Sequence, residues 1–433
     1  MVLEPEALVE ARRLAAFLRS DVSDLEGHYL LGWLHTFRYR ALPEGAGQRD
    51  REEAVEKFAP CFVFGADAED LPDELLPEVA QHAIGFVWTI QQAMNSSPSP
   101  ALLARVTDLL RRIAAAVPPG DSEHAEMLSN LSVVLKSSFD TSGELADLDA
   151  AVDAARGAVA SAAPQRRNRS VMLSNLSGVL RERFAHTGTA DDLDAAIETG
   201  RLALQAVAGS PAERAGALNN LGTALRTRFT EKGILSDLDE AINVLQEASD
   251  LYIEDYDKAG ILHNLGIAWK DRYDSTGVLA DLENAIEDCR AAVEVAPEEH
   301  PGLSMFLSGL GSTLLTRFER TGETACLDRS VNAYQEALEI LPPGHRTRGL
   351  RLTGLGQALL ARYRLGGNKS DLDAAIETNR AAAQETAPQQ TEFNAVLNNL
   401  GISLWQRFEC TGQMADLNEA IGASRASTHG TVS

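Results

Sequence analysis

Apolar residues fall at i, i+3, i+7 and i+11 in Leu218, Leu221, Leu225 and Phe229, the spacing of one stripe along an α-helix. Gly222 within that stretch leaves room for a neighbouring helix. Gly233, four residues beyond the aromatic, sits where a left-handed helix end favours glycine. A second stripe follows in Leu238, Ala241, Ile242 and Leu245. Ser236 is its expected N-cap, and Asp237 and Asp239 are well placed against the helix dipole. The two stripes predict a helical hairpin, with a helix A followed by a helix B.

Close copies of this hairpin recur along most of the chain. The central leucine appears as Leu131, Leu176, Leu221, Leu265, Leu310, Leu355 and Leu400, with spacings of 45, 45, 44, 45, 45 and 45 residues. A period of that kind means a stacked array. Glycine again follows the aromatic at Gly188, Gly277, Gly322 and Gly412, and segments such as Val117-Pro-Pro-Gly120 and Leu341-Pro-Pro-Gly344 stop helix B before the next helix A.

Seven regular units are expected over residues 121–426, followed by a polar tail at 427–433. Residues 1–120 read as divergent helical units: a first helix at about 4–20, then His28–Arg40 with Arg51–Phe62, and Val79–Met94 with Ala101–Ala116. The expected fold is all-α, a right-handed α-solenoid of about nine hairpins. No polar capping helix follows the last hairpin. Its outer face is therefore expected to meet an effector domain, a partner or a second copy of the chain.

Charge narrows the partners. A formal charge of −24 over 433 residues argues against general binding to nucleic acid or an anionic membrane. No apolar run is long enough to span a bilayer. The chain opens without a secretory signal, and Cys61, Cys289, Cys326 and Cys410 lack metal-ligand spacing, so a reducing cytoplasm is expected. There is no Gly-rich phosphate loop, nucleophile elbow or zinc pattern, and no cofactor is implied.

The Leu-Gly and aromatic of helix A, with the alanine of helix B, resemble the tetratricopeptide repeat, although these units exceed its usual length of about 34 residues. The fuller pattern of Asn-Leu-Gly, Arg-Phe, Thr-Gly and Asp-Leu-Asp-Ala-Ala-Ile resembles the long-unit arrays of actinobacterial proteins that precede a CHAT (caspase-like) peptidase domain. That resemblance implies a sensing or binding module. Nothing in the chain matches the peptidase His and Cys motif.

Asn130, Asn175, Asn220, Asn264 and Asn399 precede the marker leucine, with Gly309 and Gly354 in the other two units. In tetratricopeptide domains asparagines near this point bond an extended peptide, so the resemblance implies a similar role. Such asparagines equally serve to bond adjacent helices. Lys136, Arg181, Arg226 and Lys270 form a second ladder that becomes Leu315, Leu360 and Trp405, offering cations to an acidic or carboxylate-bearing peptide and then an apolar floor. An ordinary solvated helix face has the same pattern.

Arg183, Arg228, Arg272, Arg317, Arg362 and Arg407 precede the aromatic, with the Asp-Leu-Asp segment following in most units, and are expected to bond a carboxylate or cap exposed carbonyls at the helix end, either of which fixes the turn. His263 takes a groove-facing position. The leading reading is a protein- or peptide-binding scaffold that uses its concave groove. The alternative is an enzyme or small-molecule binder using His28, Trp33, His35, Arg38 and Trp88.

Overall fold

The computed structural model describes residues 9–10, 13–14, 24–43, 45–65, 70–96, 100–120, 122–164, 168–207, 209–251, 253–386 and 393–429, with side chains for all but 88–96, 122 and 428–429. Among them are eighteen helices and no strand, paired as nine hairpins. The divergent hairpins are α1 (Leu25–Ala41) with α2 (Gln48–Phe64), and α3 (Leu76–Ser96) with α4 (Pro100–Ala116). The regular ones begin with α5 (Ser122–Ser142) and α6 (Leu145–Ser161), then α7 (Arg169–Thr187) and α8 (Ala190–Ala206). Hairpins 5 to 7 are α9 (Pro211–Lys232) with α10 (Leu235–Asp250), α11 (Asp255–Thr276) with α12 (Leu279–Val295), and α13 (Leu303–Thr321) with α14 (Thr324–Ile340). The last two are α15 (Arg348–Gly366) with α16 (Lys369–Glu385), and α17 (Phe393–Thr411) with α18 (Met414–His429).

The fold is an all-α solenoid, and it divides into two compact units, Met1–Glu213 and Arg214–Ser433, with the division in the first turn of α9. Inside each unit the two helices of a hairpin pack on each other, and each helix B packs on the next helix A. The predicted stripes are the core: Leu218, Leu221, Leu225, Leu238, Ala241, Ile242 and Leu245 are all buried. A Cβ at Gly222 would lie 2.6 Å from Leu245 Cγ, so glycine is what lets α10 approach α9.

The A-to-B turn is built the same way seven times. Gly233 has φ +67°, and its N–H donates to the Phe229 carbonyl at 2.7 Å. Gly143, Gly188, Gly277, Gly322, Gly367 and Gly412 repeat this arrangement after their aromatics. Ser236 is not the cap of helix B. The helix starts one residue earlier, at Leu235, with Ile234 as N-cap and no side-chain capping bond. The first helix expected at about 4–20 lies almost wholly outside the described residues, as do 430–433. The final helix runs on to His429, through the start of the expected polar tail.

Candidate functional site

The Asp-Leu-Asp signature has a structural role. Its first aspartate accepts from the arginine that precedes the aromatic of its own hairpin: Arg183 bonds Asp192 with Nε and Nη2 at 2.7 Å each, and Arg407 bonds Asp416 at 3.0 and 2.7 Å. Arg228–Asp237, Arg272–Asp281 and Arg362–Asp371 are the same fork. The other acidic residue of the signature receives the arginine of the following hairpin, as in Asp149–Arg183, Asp239–Arg272 and Asp373–Arg407. Arg183, Arg272, Arg362 and Arg407 thus tie their own turns to the previous helix B. In α14 Cys326 replaces the first aspartate, and Arg317 turns to Glu323 and Glu283. Hydrogen bonds from Arg407 hold the Asp416 carboxyl below the usual carboxylate range.

The predicted ladders are mostly engaged within the protein. Asn175 Nδ2 donates to Ser129 Oγ at 3.2 Å, and Asn264 Nδ2 to Asn219 Oδ1 at 2.9 Å, so these asparagines join consecutive A helices. Asn130 and Asn220 are half-buried on the same register. Asn399, in the last hairpin, has a buried Nδ2 without a partner. Each ladder cation meets a carboxylate: Lys136–Asp140 at 2.5 Å, Arg181–Glu182 at 3.1 Å, Arg226–Asp271 at 3.0 Å and Lys270–Asp274 at 2.7 Å. A row of free cations is therefore not what the fold presents. His263 is buried, not groove-exposed: its ring lies 5.2 Å from that of Phe306, and a Cβ on Gly309 would clash with it.

The N-terminal cluster is packed and bonded. Trp33 is enclosed by Tyr29, Phe37 and Phe58, and Asp50 accepts from both His35 Nδ1 at 2.7 Å and Arg38 Nε at 3.0 Å. The Trp88 side chain lies outside the described residues. A nearby cavity of about 330 Å³ is lined by Arg49, Glu52, Glu53, Val55, Glu56, Glu78 and His82, none of which belongs to the expected cluster. No group of three metal-ligating side chains occurs among the described residues.

Trp405 marks an open apolar surface on the last hairpin. It is 46% exposed, whereas Leu360 and Leu315 on the same register are 7% and 8% exposed. Ile421 on α18 is 41% exposed, against 0% for Ile376, its counterpart on α16. In hairpins 7 and 8 the same positions, Leu315 with Val331 and Leu360 with Ile376, are buried. On hairpin 9 they line an apolar pocket of about 670 Å³ with Ile402, Leu417 and Ala420, flanked by Arg364 and Arg425. Sequence reasoning found Trp405 as a break in the cation ladder. It missed Ile421, because that residue follows the repeat pattern and only its packing against neighbouring helices makes it different.

No family model and no curated protein matches the chain. Among solved structures it is similar to a human IFIT1 dimer with m7Gppp-AAAA, at 12% identity over 95% of this chain and 91% of that one, with a TM-score of 0.44. It is also similar to the C-terminal part of a TPR repeat-containing protein from Cytophaga hutchinsonii (11% identity, 73% and 99% of the two chains, TM-score 0.40). A third is BtubC (BKLC) from P. vanneervenii (19% identity, 56% and 92%, TM-score 0.36). The all-α helical-repeat architecture of the chain stands on its own nine hairpins among the described residues.

Proposed function

We propose that the scaffold binds a partner protein, and that an amphipathic helix of that partner docks on the outer face of hairpin 9. The observation that carries this reading is the exposure of Trp405 and Ile421 at registers that are buried in the two preceding hairpins. That surface continues an established interface, and elsewhere in this unit its occupant is an amphipathic helix with an aliphatic stripe. Covering one such side chain is worth about 1.5 to 3 kcal/mol, enough for a few of them to anchor a helix.

An extended acidic or carboxylate-bearing peptide along the asparagine and cation ladders is the weaker form of this reading, since it must displace carboxylates already bonded to Lys136, Arg181, Arg226 and Lys270. The same pairing and the charge of −24 favour a protein over nucleic acid or a membrane surface as the partner. The resemblance to arrays that precede a CHAT peptidase supports an effector domain as that partner. Four unpaired thiols, three of them buried, support a reducing cytoplasm. The reading assigns the chain no catalytic step.

A photo-crosslinking residue at position 405, compared with one at position 181, tests it in the host cell. An adduct to a different protein from position 405, and none from 181, is expected. Adducts only from 181 would return the site to the groove. An adduct from 405 to a second copy or to RNA would replace the proposed partner.

A further inference from the structure

Arg38 and Arg351 are the two arginines of the described residues with only 6% exposure. Arg38 meets Asp50 at 3.0 Å. Arg351, in the first turn of α15, has no ion pair among the described residues: its Nε is buried without a partner, and Nη1 reaches only the Thr347 carbonyl at 3.4 Å. A guanidinium does not give up its proton, so it carries a buried positive charge, which is costly unless a counter-charge arrives. The clamp arginines and Arg226 all have carboxylates, and that makes Arg351 the exception.

Its surroundings supply donors and a second cation. The field of Arg351 reaches His263 on α11, where Arg226 also acts, and Nδ1 of that buried ring has no partner. Burial and these two cations push His263 down to about 4, so the ring is neutral and free to donate. Tyr334 on α14 is also within the electrostatic reach of Arg351. The asparagine ladder is interrupted here by Gly309 and Gly354, and those gaps hold the His263 ring and the Tyr334 ring and hydroxyl. One of these glycines, Gly354, follows Arg351 by three residues on α15, so the Tyr334 hydroxyl packs one turn from an uncompensated cation in a chain whose net charge is −24.

We propose that Arg351, with His263 and the Tyr334 hydroxyl, forms a binding site for a small oxyanion, a carboxylate or a phosphate group, on helices α11, α14 and α15. The site is independent of the hairpin 9 face, and of the four ladder cations it involves only Arg226, whose field reaches His263. The anion supplies the missing counter-charge, and the guanidinium offers it paired N–H donors.

Calorimetry of the full chain with sodium phosphate, sulfate and acetate at fixed ionic strength tests the site and tells phosphate from carboxylate. Binding of at least one anion is expected, weakened roughly tenfold or more by Arg351→Met and unchanged by Lys136→Met. Thermal stability without the anion should be equal or higher in Arg351→Met, because the variant removes a buried unpaired charge; an arginine with a purely structural role would lower it. On the unmodified chain, the His263 ring resonances should move with the bound anion and not with chloride. Absence of binding for all three anions, or equal binding by Arg351→Met, overturns the proposal. So does a His263 that does not respond.

Discussion

Asp281 lies almost sealed beneath the Arg272 fork, so losing the arginine strands a carboxylate that water does not reach. Arg272→Met is expected to cost about 2 to 3 kcal/mol, and Arg272→Met with Asp281→Asn less than the sum of the single changes. Chemical denaturation of the four chains checks this; strict additivity would remove the clamp from the stabilising interactions. His263 gives a pH dependence of definite sign. Its folded value of about 4 lies below the free value of 6.5, so the unfolded chain takes up a proton first as pH falls. Stability therefore declines from about pH 6.5 towards pH 4, by on the order of 3 kcal/mol, and is retained above that window. His263→Phe should flatten this part of the profile, and an unchanged slope would show that the ring is protonated in the folded protein.

Along each element, the two stripes, the glycine turn and the Arg-to-Asp tie were legible in the sequence because their partners lie within one period. Lys136 with Asp140 and Lys270 with Asp274 were also within reach, four residues apart on one helix. What escaped was whatever depends on a neighbouring element. Gly309 and Gly354 read only as gaps in a ladder, since their occupants arrive from α11 and α14. The Arg226–Asp271 pair spans a full repeat, and nothing local announces it. Gly354→Asn, which restores the ladder residue, should collide with Tyr334 and cost about 1 to 3 kcal/mol. Combining it with Tyr334→Ala should recover part of that loss in thermal melts. No recovery would place the clash elsewhere.

For the whole molecule, stability is a sum of hairpins and their neighbour contacts. Leu221 is buried, and Leu221→Ala is expected to cost about 2 to 5 kcal/mol, seen as faster hydrogen exchange concentrated around hairpin 5. Uniformly faster exchange throughout would mean that the chain unfolds as one cooperative body. The same additivity explains why the exposed face of hairpin 9 was hard to read: residues 376 and 421 are both isoleucine at equivalent positions of the repeat, and only whether a described helix packs over them separates them. The most direct measurement is hydrogen exchange on the chain with and without the protein crosslinked from position 405. Slowed exchange confined to Phe393–His429 is the expected result. Slowed exchange along helices α5, α7, α9 and α11 instead, with α17 and α18 unchanged, would contradict docking at hairpin 9.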